Sequence, residues 1–342
     1  MKIIHVVSSL NVGGAERFVI DLAAEQKKSQ QFNIDILSMG AKGEPLEEEV
    51  RRFELGLLHS SSILALRKKL ATADFVHVHS SYCLLRVLLA TIFTTTKVIY
   101  TRHNERVHKT LKWRLVYLLA KLKLHKMIFV ADKARTNYLE TYRSFEKKSI
   151  IILNGVLPMT PVKTSNKKVR ISHVGRFVPL KAQHLLIEAV ALLPSDLQQK
   201  LCVSFFGTGE LMEKNQLLAK RLIPDVEVNF RGFVTDRDEI YGHTDILAVT
   251  SETEGLSLAI LEALASGTPT IASNVGGNPE LIEDNVNGYL YSYADTQQLA
   301  NCITLLLTNP ATYQSFSINS LEKFKNGFSM QICADNYLRA YH

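Results

Sequence analysis

Two glutamates, Glu254 and Glu262, stand eight residues apart in SETEGLSLAILEALASG, which is typical of a loop leading into an apolar helix. Eight residues span about 12 Å along a helix axis, so these carboxylates cannot form a close acid/base pair. A bare carboxylate among Ala, Leu and Ile is costly, and a vicinal diol such as a ribose would satisfy Glu262. The alternative is that Glu254 complements the helix dipole and Glu262 lies on the surface.

Cations and backbone amides that suit a phosphate accompany these glutamates. Arg176 and Lys181 flank a proline in HVGRFVPLKAQHLL, where a bidentate guanidinium and a point charge fit a diphosphate. The amides of Gly255, Leu256, Ser257 and Leu258 direct the positive end of the following helix toward an anion. Taken alone, the two cations would be read as solvated loop residues.

Glycines follow several of the predicted strands, where they allow a backbone to approach a ligand closely. FRGFVTDRDEI could offer bare backbone near Val234 to a planar base. Two further strand-to-helix turns contain glycine pairs. They are NVGGAER, with Gly13 and Gly14, and FFGTGE, with Gly207 and Gly209. The first pair lacks the GxGxxG spacing of a dinucleotide fingerprint.

Short β-branched runs alternate with helical segments along the chain, which predicts mainly parallel sheets covered by helices on both faces. The alternation breaks at GVLPMTPVKTSNKK, a stretch rich in Pro, Thr, Ser and Lys, and then restarts. We therefore predict two α/β halves. The motifs above follow strands, at the carboxyl edge where open α/β sheets bind ligands.

Composition indicates a folded protein of a reducing compartment. Of the 342 residues, 46% are hydrophobic and 21% charged, and the four cysteines show no paired spacing. This favours a cytoplasmic protein without a disulfide framework or thiolate metal site. The N-terminal apolar run is short and reads as a first strand instead of a signal peptide. Because no window approaches the about 18 apolar residues of a membrane span, we expect no integral membrane protein.

The net charge of +7 is concentrated in one segment, Arg106–Lys126, which has seven basic residues and no acid. Leucines and Trp113 are interleaved with the cations, as in a helix that lies on anionic lipid. A solvated helix face is an equally good interpretation. Nucleic acid is disfavoured because no recognition motif accompanies the charge.

Asp236-x-Asp238 in TDRD has the spacing of a metal-binding DxD motif. Nothing nearby supplies the further oxygen ligands that such a cation needs. We therefore interpret the pair as part of a polar turn and expect no metal site.

The motifs together resemble glycosyltransferase family 4, retaining sugar-nucleotide transferases of the GT-B fold. They run in the family's order from GGAE through GRFVPLK, FGTGE and RGFV to EGLSLAILEALASGTPTIASNVGGNPELI, and cover nearly the whole chain. The resemblance implies two Rossmann-like α/β domains with mainly parallel sheets facing across a cleft. Residues 1–160 would bind the acceptor and 161–325 the nucleotide sugar, while a helix in 326–342 would return to the first domain.

The resemblance also assigns roles. Arg176 and Lys181, helped by the amides of Gly13 and Gly14, would neutralise the donor diphosphate. Glu254 and the amides of Gly255–Leu258 would hold the sugar and its phosphate, and Glu262 the ribose. Val234 would meet the nucleobase, and Gly207 and Gly209 would leave room for it. His103 in TRHN would face the donor sugar, and Asn278 and Glu280 would line the site.

The implied activity is retaining transfer of a hexose or N-acetylhexosamine from a UDP-sugar to a lipid-linked or polysaccharide acceptor in cell-surface glycan synthesis. Arg176, Lys181, Glu254 and His103 would be the catalytic residues, and no metal or other cofactor is expected. The enzyme would lie on the inner face of the plasma membrane, bound to anionic lipid. The alternatives are a small soluble acceptor, GDP-mannose as the donor, and a non-catalytic sugar-nucleotide binding module; an epimerase is disfavoured.

Overall fold

The β-branched runs form the strands of two separate parallel sheets. The computed structural model describes residues 1–11, 13–103, 107–160 and 168–341. The chain divides into unit 1, Met1–Leu157 with Met330–His342, and unit 2, Pro158–Ser329. The sequence placed these divisions after residues 160 and 325.

Unit 1 follows a strand–helix alternation to residue 151. Its elements are β1 (Lys2–Val7), α1 (Gly14–Lys27), β2 (Asn33–Ser38), α2 (Glu47–Arg52), β3 (Gly56–His59), α3 (Ile63–Leu70), β4 (Phe75–Val78), α4 (Ser81–Thr91), β5 (Lys97–Arg102), α5 (Leu111–Lys123), β6 (Leu124–Phe129), α6 (Asp132–Thr141), a 3₁₀ helix (Arg143–Lys148) and β7 (Ser149–Ile151).

The sheet of unit 1 has the order β3-β2-β1-β4-β5-β6-β7, with every pair parallel. Val6 of β1 is in register with Leu37 on one side and Val78 on the other. These central strands are fully apolar on the face that packs into the hydrophobic core. The strand order reverses between β1 and β4. In parallel α/β sheets, ligands bind at the carboxyl ends of the strands at this point.

Unit 2 repeats the same alternation with a smaller sheet. Its elements are β8 (Val169–Val174), a 3₁₀ helix (Pro179–Lys181), α7 (His184–Ala191), α8 (Ser195–Gln198), β9 (Leu201–Phe206), α9 (Met212–Leu222), β10 (Glu227–Gly232), α10 (Arg237–Gly242), β11 (Ile246–Val249), α11 (Leu258–Ala265), β12 (Thr270–Ser273), α12 (Asn278–Leu281), β13 (Gly288–Tyr291), α13 (Thr296–Thr308) and α14 (Pro310–Gly327).

The second sheet has the order β10-β9-β8-β11-β12-β13 and is also parallel throughout. Its strand order reverses between β8 and β11. Leu186, Val203 and Ala248 are buried in the core on which these strands pack. The loops after β8 and β11 therefore leave the middle of the sheet side by side.

The last helix, α15 (Met330–Tyr341), belongs to unit 1 and packs on α1. The Met330 amide donates to the Val156 carbonyl at 2.8 Å, and the Tyr341 ring stacks on Phe75 with centroids 5.2 Å apart. Tyr337 and Tyr341 are fully buried. Helix α15 thus completes the core of a unit whose other elements end at residue 151.

The basic segment contains a shorter helix than the sequence analysis expected. Helix α5 ends at Lys123, and Leu124 to Phe129 form β6 between β5 and β7. The last residues of the basic segment are extended because LHKMIF supplies an interior strand of the sheet. Arg106 lies outside the described residues. Within the ranges described here, every helix is too short or too polar to cross a bilayer.

Candidate functional site

Lys181 and Glu254, which are 73 positions apart in the chain, form an ion pair in unit 2. Lys181 Nζ lies 2.6 Å from Glu254 Oε1, and the Ser251 hydroxyl donates to the same oxygen at 2.6 Å. Lys181 ends the 3₁₀ helix after β8, whereas Glu254 lies in the loop after β11. Because β8 and β11 are neighbours, the two loops meet at the point where strand order reverses.

The backbone around Lys181 is held in an uncommon conformation. Ala182 has φ 45° and ψ 43°, the left-handed region that residues with a Cβ rarely adopt. The Thr250 hydroxyl hydrogen-bonds to the Lys181 and Ala182 carbonyls at 2.8 and 2.9 Å, and the Glu252 amide donates to the Leu180 carbonyl at 2.9 Å. Such conformations persist where surrounding contacts over-determine them, so the loop after β11 fixes the lysine's position.

Arg176 lies in the same loop as Lys181, and its side chain is exposed. Its carbonyl accepts a hydrogen bond from Gln183 Nε2 at 2.9 Å. Beneath the loop, burial lowers the pKa of His173 to about 3, with Lys181 adding to the effect. His173 is therefore neutral at pH 7, so the positive charge of this loop comes from Arg176 and Lys181.

Gly207 and Gly209 allow two loops to touch. Their φ angles are 135° and 154°, and a Cβ on them would lie 2.2 Å from the Gly175 carbonyl oxygen and 2.5 Å from that of Phe177. In the direction a Cβ would take, the neighbour of each glycine is backbone of the loop after β8. Their role here is to let the loop after β9 pack against the loop after β8.

Val234 lies between β10 and α10 and is partly exposed. Gly232 ends β10 with φ 66°, a conformation that favours glycine, and its carbonyl accepts from the Gly207 amide at 2.7 Å. The loops after β8, β9 and β10 are thus linked by backbone hydrogen bonds.

The residues from Gly255 to Leu258 lead into α11, which begins at Leu258 after the N-cap Ser257. Leu256 and Ser257 are buried. A Cβ on Gly276 would lie 1.8 Å from the Glu254 carbonyl oxygen, and one on Gly277 would lie 2.2 Å from that of Gly255. The glycines of NVGGNPE therefore let the loop after β12 support the Glu254 loop.

Glu262 lies in α11 with 8% of its surface exposed, and its carboxylate contacts side chains of the neighbouring helix α10. Its Oε1 is 2.8 Å from Arg237 Nε. The Tyr241 hydroxyl hydrogen-bonds to the Ala259 carbonyl at 2.7 Å and lies 3.3 Å from Glu262 Oε2. Burial and the Glu262 carboxylate raise the pKa of Tyr241 well above its usual range. Arg237, which the sequence analysis missed, is thus the counter-ion of Glu262.

Asp236 is a helix cap. Its Oδ1 accepts from the amides of Asp238 and Glu239 at 2.9 and 3.3 Å, at the start of α10. Asp238 is exposed. These contacts give Asp236 a structural role that agrees with the interpretation of TDRD as a turn.

Asn278 and Glu280 lie in the short helix α12. Asn278 is fully buried and donates to the Ser273 carbonyl at 3.0 Å, so its side chain braces the turn after β12. Glu280 is partly exposed.

In unit 1, the predicted residues lie at the ends of β1 and β5. Gly13 caps α1 with an extended φ of −166°, and α1 begins at Gly14. His103 follows β5; its Nε2 is 3.1 Å from His79 Nδ1, and its ring packs edge-on to Phe18 with centroids 5.5 Å apart. Val12 and residues 104–106 are outside the described ranges.

Among the described residues, His5, His77 and His79 form a compact group of histidines. One ring nitrogen of each lies within 4.8 Å of those of the other two, and all three side chains are buried. This cluster is not among the site residues predicted from the sequence. The signal was the alternation in FVHVHS, which puts His77 in β4 and His79 directly after it on the same side of the extended chain.

The fold is that of GT-B glycosyltransferases. The Anabaena protein HepE, solved in complex with UDP and glucose, matches 99% of this chain and 98% of its own with a TM-score of 0.87 at 20% identity. Staphylococcus aureus TarM, solved with UDP among its ligands, matches 100% of this chain and 99% of its own with a TM-score of 0.81 at 14% identity.

Sequence comparison identifies the family. Residues 12–158 match the model described as Glycosyltransferase Family 4, and residues 160–323 match the model described as Glycosyl transferases group 1. Since the two matches together span nearly the whole chain, the protein is a glycosyltransferase that carries both of these domains.

Two curated relatives align over almost their full length. The Campylobacter jejuni protein named GalNAc-alpha-(1->4)-GalNAc-alpha-(1->3)-diNAcBac-PP-undecaprenol alpha-1,4-N-acetyl-D-galactosaminyltransferase is 24% identical over 99% of this chain and 98% of its own. The Escherichia coli protein named UDP-Gal:alpha-D-GlcNAc-diphosphoundecaprenol alpha-1,3-galactosyltransferase is 26% identical over 96% of this chain and 94% of its own.

Proposed function

We propose that the protein transfers a hexose or N-acetylhexosamine from a UDP-sugar to a lipid-linked saccharide, with retention of anomeric configuration. The observation that carries the proposal is the Lys181–Glu254 pair between the loops after β8 and β11. A strained backbone and three hydrogen bonds fix the lysine at the position where α/β sheets bind ligands. A preorganised cation is what a departing diphosphate requires.

In the proposed reaction, the bond from the sugar's anomeric carbon to the diphosphate oxygen breaks while the acceptor hydroxyl bonds to that carbon. The hydroxyl attacks from the face that the diphosphate leaves, and its proton passes to the diphosphate. Lys181 and Arg176 offset the charge that develops on the leaving group, as the family resemblance implies. Glu254 keeps Lys181 in place, and the reaction needs no metal.

The donor assignment draws on the relatives. The name of the E. coli relative specifies UDP-Gal, and HepE was solved with UDP. On this basis we propose a uridine nucleotide, with Glu262 accepting from the ribose hydroxyls. A carboxylate has about four acceptor positions, so its contacts with Arg237 and Tyr241 leave capacity for a diol.

The acceptor assignment combines the relatives with a surface of unit 1. Both curated relatives carry names with an undecaprenol-linked substrate. Helix α5 exposes a row of leucines at spacings of four, three and four, between 60% and 78% exposed, with Lys112 and Arg114 beside them. Their positions are Leu111, Leu115, Leu118 and Leu122. Apolar side chains flanked by cations suit a peripheral contact with anionic lipid, which would bring the enzyme to such an acceptor.

Transfer assays on the lysine test the proposal. We expect Lys181→Ala to lower kcat/KM for UDP-sugar-dependent transfer by about 10²- to 10³-fold, because one preorganised charge opposite the leaving group is lost. Arg176→Ala should act in the same direction. Lys214→Ala, which removes an exposed cation of the same unit, is the matched control and should transfer at the wild-type rate.

Near-wild-type transfer by both the Lys181 and Arg176 variants would exclude this function. A thermal-shift panel of UDP, GDP and their sugar adducts addresses the donor, and stabilisation by GDP-mannose alone would replace UDP in the proposal. Binding of UDP-sugars without transfer to lipid-linked or small soluble acceptors would indicate a non-catalytic module.

A further inference from the structure

Four histidines at the carboxyl edge of the first sheet form a continuous cluster. His5 lies in β1, His77 in β4, His79 directly after β4, and His103 directly after β5. His5 and His77 are in register on adjacent strands, and their rings lie 5.2 Å apart. This histidine cluster occupies the point where the strand order of unit 1 reverses.

Three of these histidines form a chain that ends at a glutamine. His103 Nε2 lies 3.1 Å from His79 Nδ1, and His79 Nε2 lies 2.9 Å from His5 Nδ1. The chain ends where His5 Nε2 lies 2.8 Å from Gln26 Oε1 of α1. Each middle imidazole thus uses both of its ring nitrogens.

The histidines in this chain are neutral. Burial lowers the pKa of His5 and of His103 to about 4. Burial and the neighbouring histidines lower the pKa of His79 well below its usual range. A neutral imidazole has one N–H donor and one acceptor nitrogen, so hydrogen bonds along the chain must all run in one direction.

Gln26 supplies that direction. Its Nε2 donates to the Tyr341 hydroxyl at 3.2 Å, which turns Oε1 toward His5. The Oε1 atom can only accept, so His5 carries its hydrogen on Nε2 and accepts at Nδ1. His79 must then donate from Nε2 and accept at Nδ1, and His103 must donate from Nε2.

The fourth histidine, His77, hydrogen-bonds to two hydroxyl groups outside this chain of histidines. His77 Nδ1 lies 2.8 Å from the Tyr341 hydroxyl, and its Nε2 lies 2.7 Å from the Thr101 hydroxyl. With these contacts, both ring nitrogens of His5, His77 and His79 have hydrogen-bond partners. A metal ion at these three residues would have to break several of those bonds, so the geometry favours a proton network.

We propose that Gln26, acting through His5 and His79, sets the tautomer of His103, with the hydrogen on Nε2 and an accepting lone pair on Nδ1. Gln26, His5 and His79 are then positioning residues. Any hydroxyl that contacts His103 Nδ1 must donate its hydrogen there. That this hydroxyl belongs to a sugar rests on the proposed function, whereas the tautomer itself does not.

Histidine side-chain nuclear magnetic resonance measures the tautomer directly. With ¹⁵N-histidine-labelled full-length protein at pH 7, the signals that disappear in His103→Gln identify His103 among the eleven histidines. We expect the wild-type protein to show the Nε2–H tautomer at His103. In Gln26→Met, which keeps side-chain length but removes the anchoring acceptor, we expect a mixture of the two tautomers.

Thr91→Val is the matched control, because it removes another fully buried hydrogen-bonding group of unit 1, one that bonds within α4. It should leave the His103 signals unchanged. An Nδ1–H tautomer in the wild type, an imidazolium at pH 7, or unchanged signals in folded Gln26→Met would overturn the proposal. So would a stoichiometric bound metal ion that shifts the signals of His5, His77 and His79.

The spectra and the transfer assay can fail separately. The expected tautomer in a protein that transfers no sugar would leave this inference standing and remove the proposed function. Active transfer by a protein in which His103 carries its hydrogen on Nδ1 would support the proposed function and overturn this inference.

Discussion

Glu262 shows how a carboxylate is accommodated in an apolar helix of this fold. Arg237 and Tyr241 solvate it from within unit 2, so its ionised form is tolerated at 8% exposure. The helix can therefore keep a charge in an apolar segment before any ligand binds. The same contacts fix the carboxylate's direction, on which the proposed ribose contact depends.

Replacing its counter-ion should affect stability and ribose recognition together. We expect Arg237→Gln to lower the free energy of unfolding by about 1–3 kcal/mol, because a buried acceptor loses its partner. It should also reduce the preference for UDP over 2′,3′-dideoxy-UDP. Chemical denaturation and calorimetric titration measure these two quantities.

Arg231→Gln is the control, since this exposed arginine lies six positions earlier on β10. Its stability should stay within about 0.5 kcal/mol of the wild type. An unchanged preference for UDP over the dideoxy analogue in Arg237→Gln would show that the Arg237 contact does not position Glu262 for a ribose.

The sequence predicted Lys181 and Glu254 as site residues but did not predict that they pair. Pairing depends on β8 and β11 being neighbours, and strand order is a property of the whole sheet. Arg237 was overlooked for a similar reason, because its partner lies on another helix. Histidines in apolar strands signal buried polar contacts, but their partners on α1 and α15 are far away in sequence.

At the scale of elements, α5 combines a buried face with an exposed one. Val116, Tyr117 and Ala120 pack into unit 1, while the leucine row faces outward. Lys123 is engaged with the Thr94 carbonyl at 2.7 Å, so it contributes less to the exposed charge than its sequence position suggests. The exposed cations of the helix are Lys112, Arg114 and Lys121.

This surface predicts binding to anionic vesicles. We expect the protein to sediment with phosphatidylglycerol vesicles more than with phosphatidylcholine vesicles, and salt to weaken the binding. Lys112→Gln with Arg114→Gln should cost about 1 kcal/mol per charge, and Leu115→Ser with Leu118→Ser should weaken binding at any salt concentration.

Leu217→Ser serves as the control for the leucines, because Leu217 is 62% exposed on α9 of unit 2. Lys214→Gln with Lys220→Gln is the corresponding charge control. Equal vesicle binding by the α5 variants and these controls would show that α5 is a solvated face.

Strands and helices could largely be predicted because their hydrophobic periodicity is local. The exact boundary between α5 and β6 is less local, since KLKLHKMIF contains apolar residues at both helical and strand spacing. The contacts of β6 with β5 and β7 decide the outcome. Tertiary pairing thus overrides the local pattern where the two compete.

At the scale of the molecule, unit 1 is built from two separate stretches of chain. Met330, Tyr337 and Tyr341 are fully buried in it, and each such side chain contributes about 1.5–3 kcal/mol. Each unit has its own hydrophobic core. Removing α15 should therefore weaken one unit and spare the other.

We expect a chain ending at Ser329 to unfold in two calorimetric transitions, with the unit 1 transition at a clearly lower temperature than in the intact protein. UDP should raise the temperature of the unit 2 transition by mass action. Tyr341→Phe, which removes two hydrogen bonds but keeps the ring, should lower the unit 1 transition by less. A single transition unchanged by truncation would contradict this division.

The divided layout of unit 1 also has a consequence during biosynthesis. Domains generally fold as units while the chain emerges from the ribosome. All of unit 2 is synthesised before residues 330–341, so it can fold first. Gln26, near the start of the chain, must wait for Tyr341 before its amide is oriented. In a nascent chain, unit 2 would thus be in place before the histidines of unit 1 acquire their final hydrogen-bond direction.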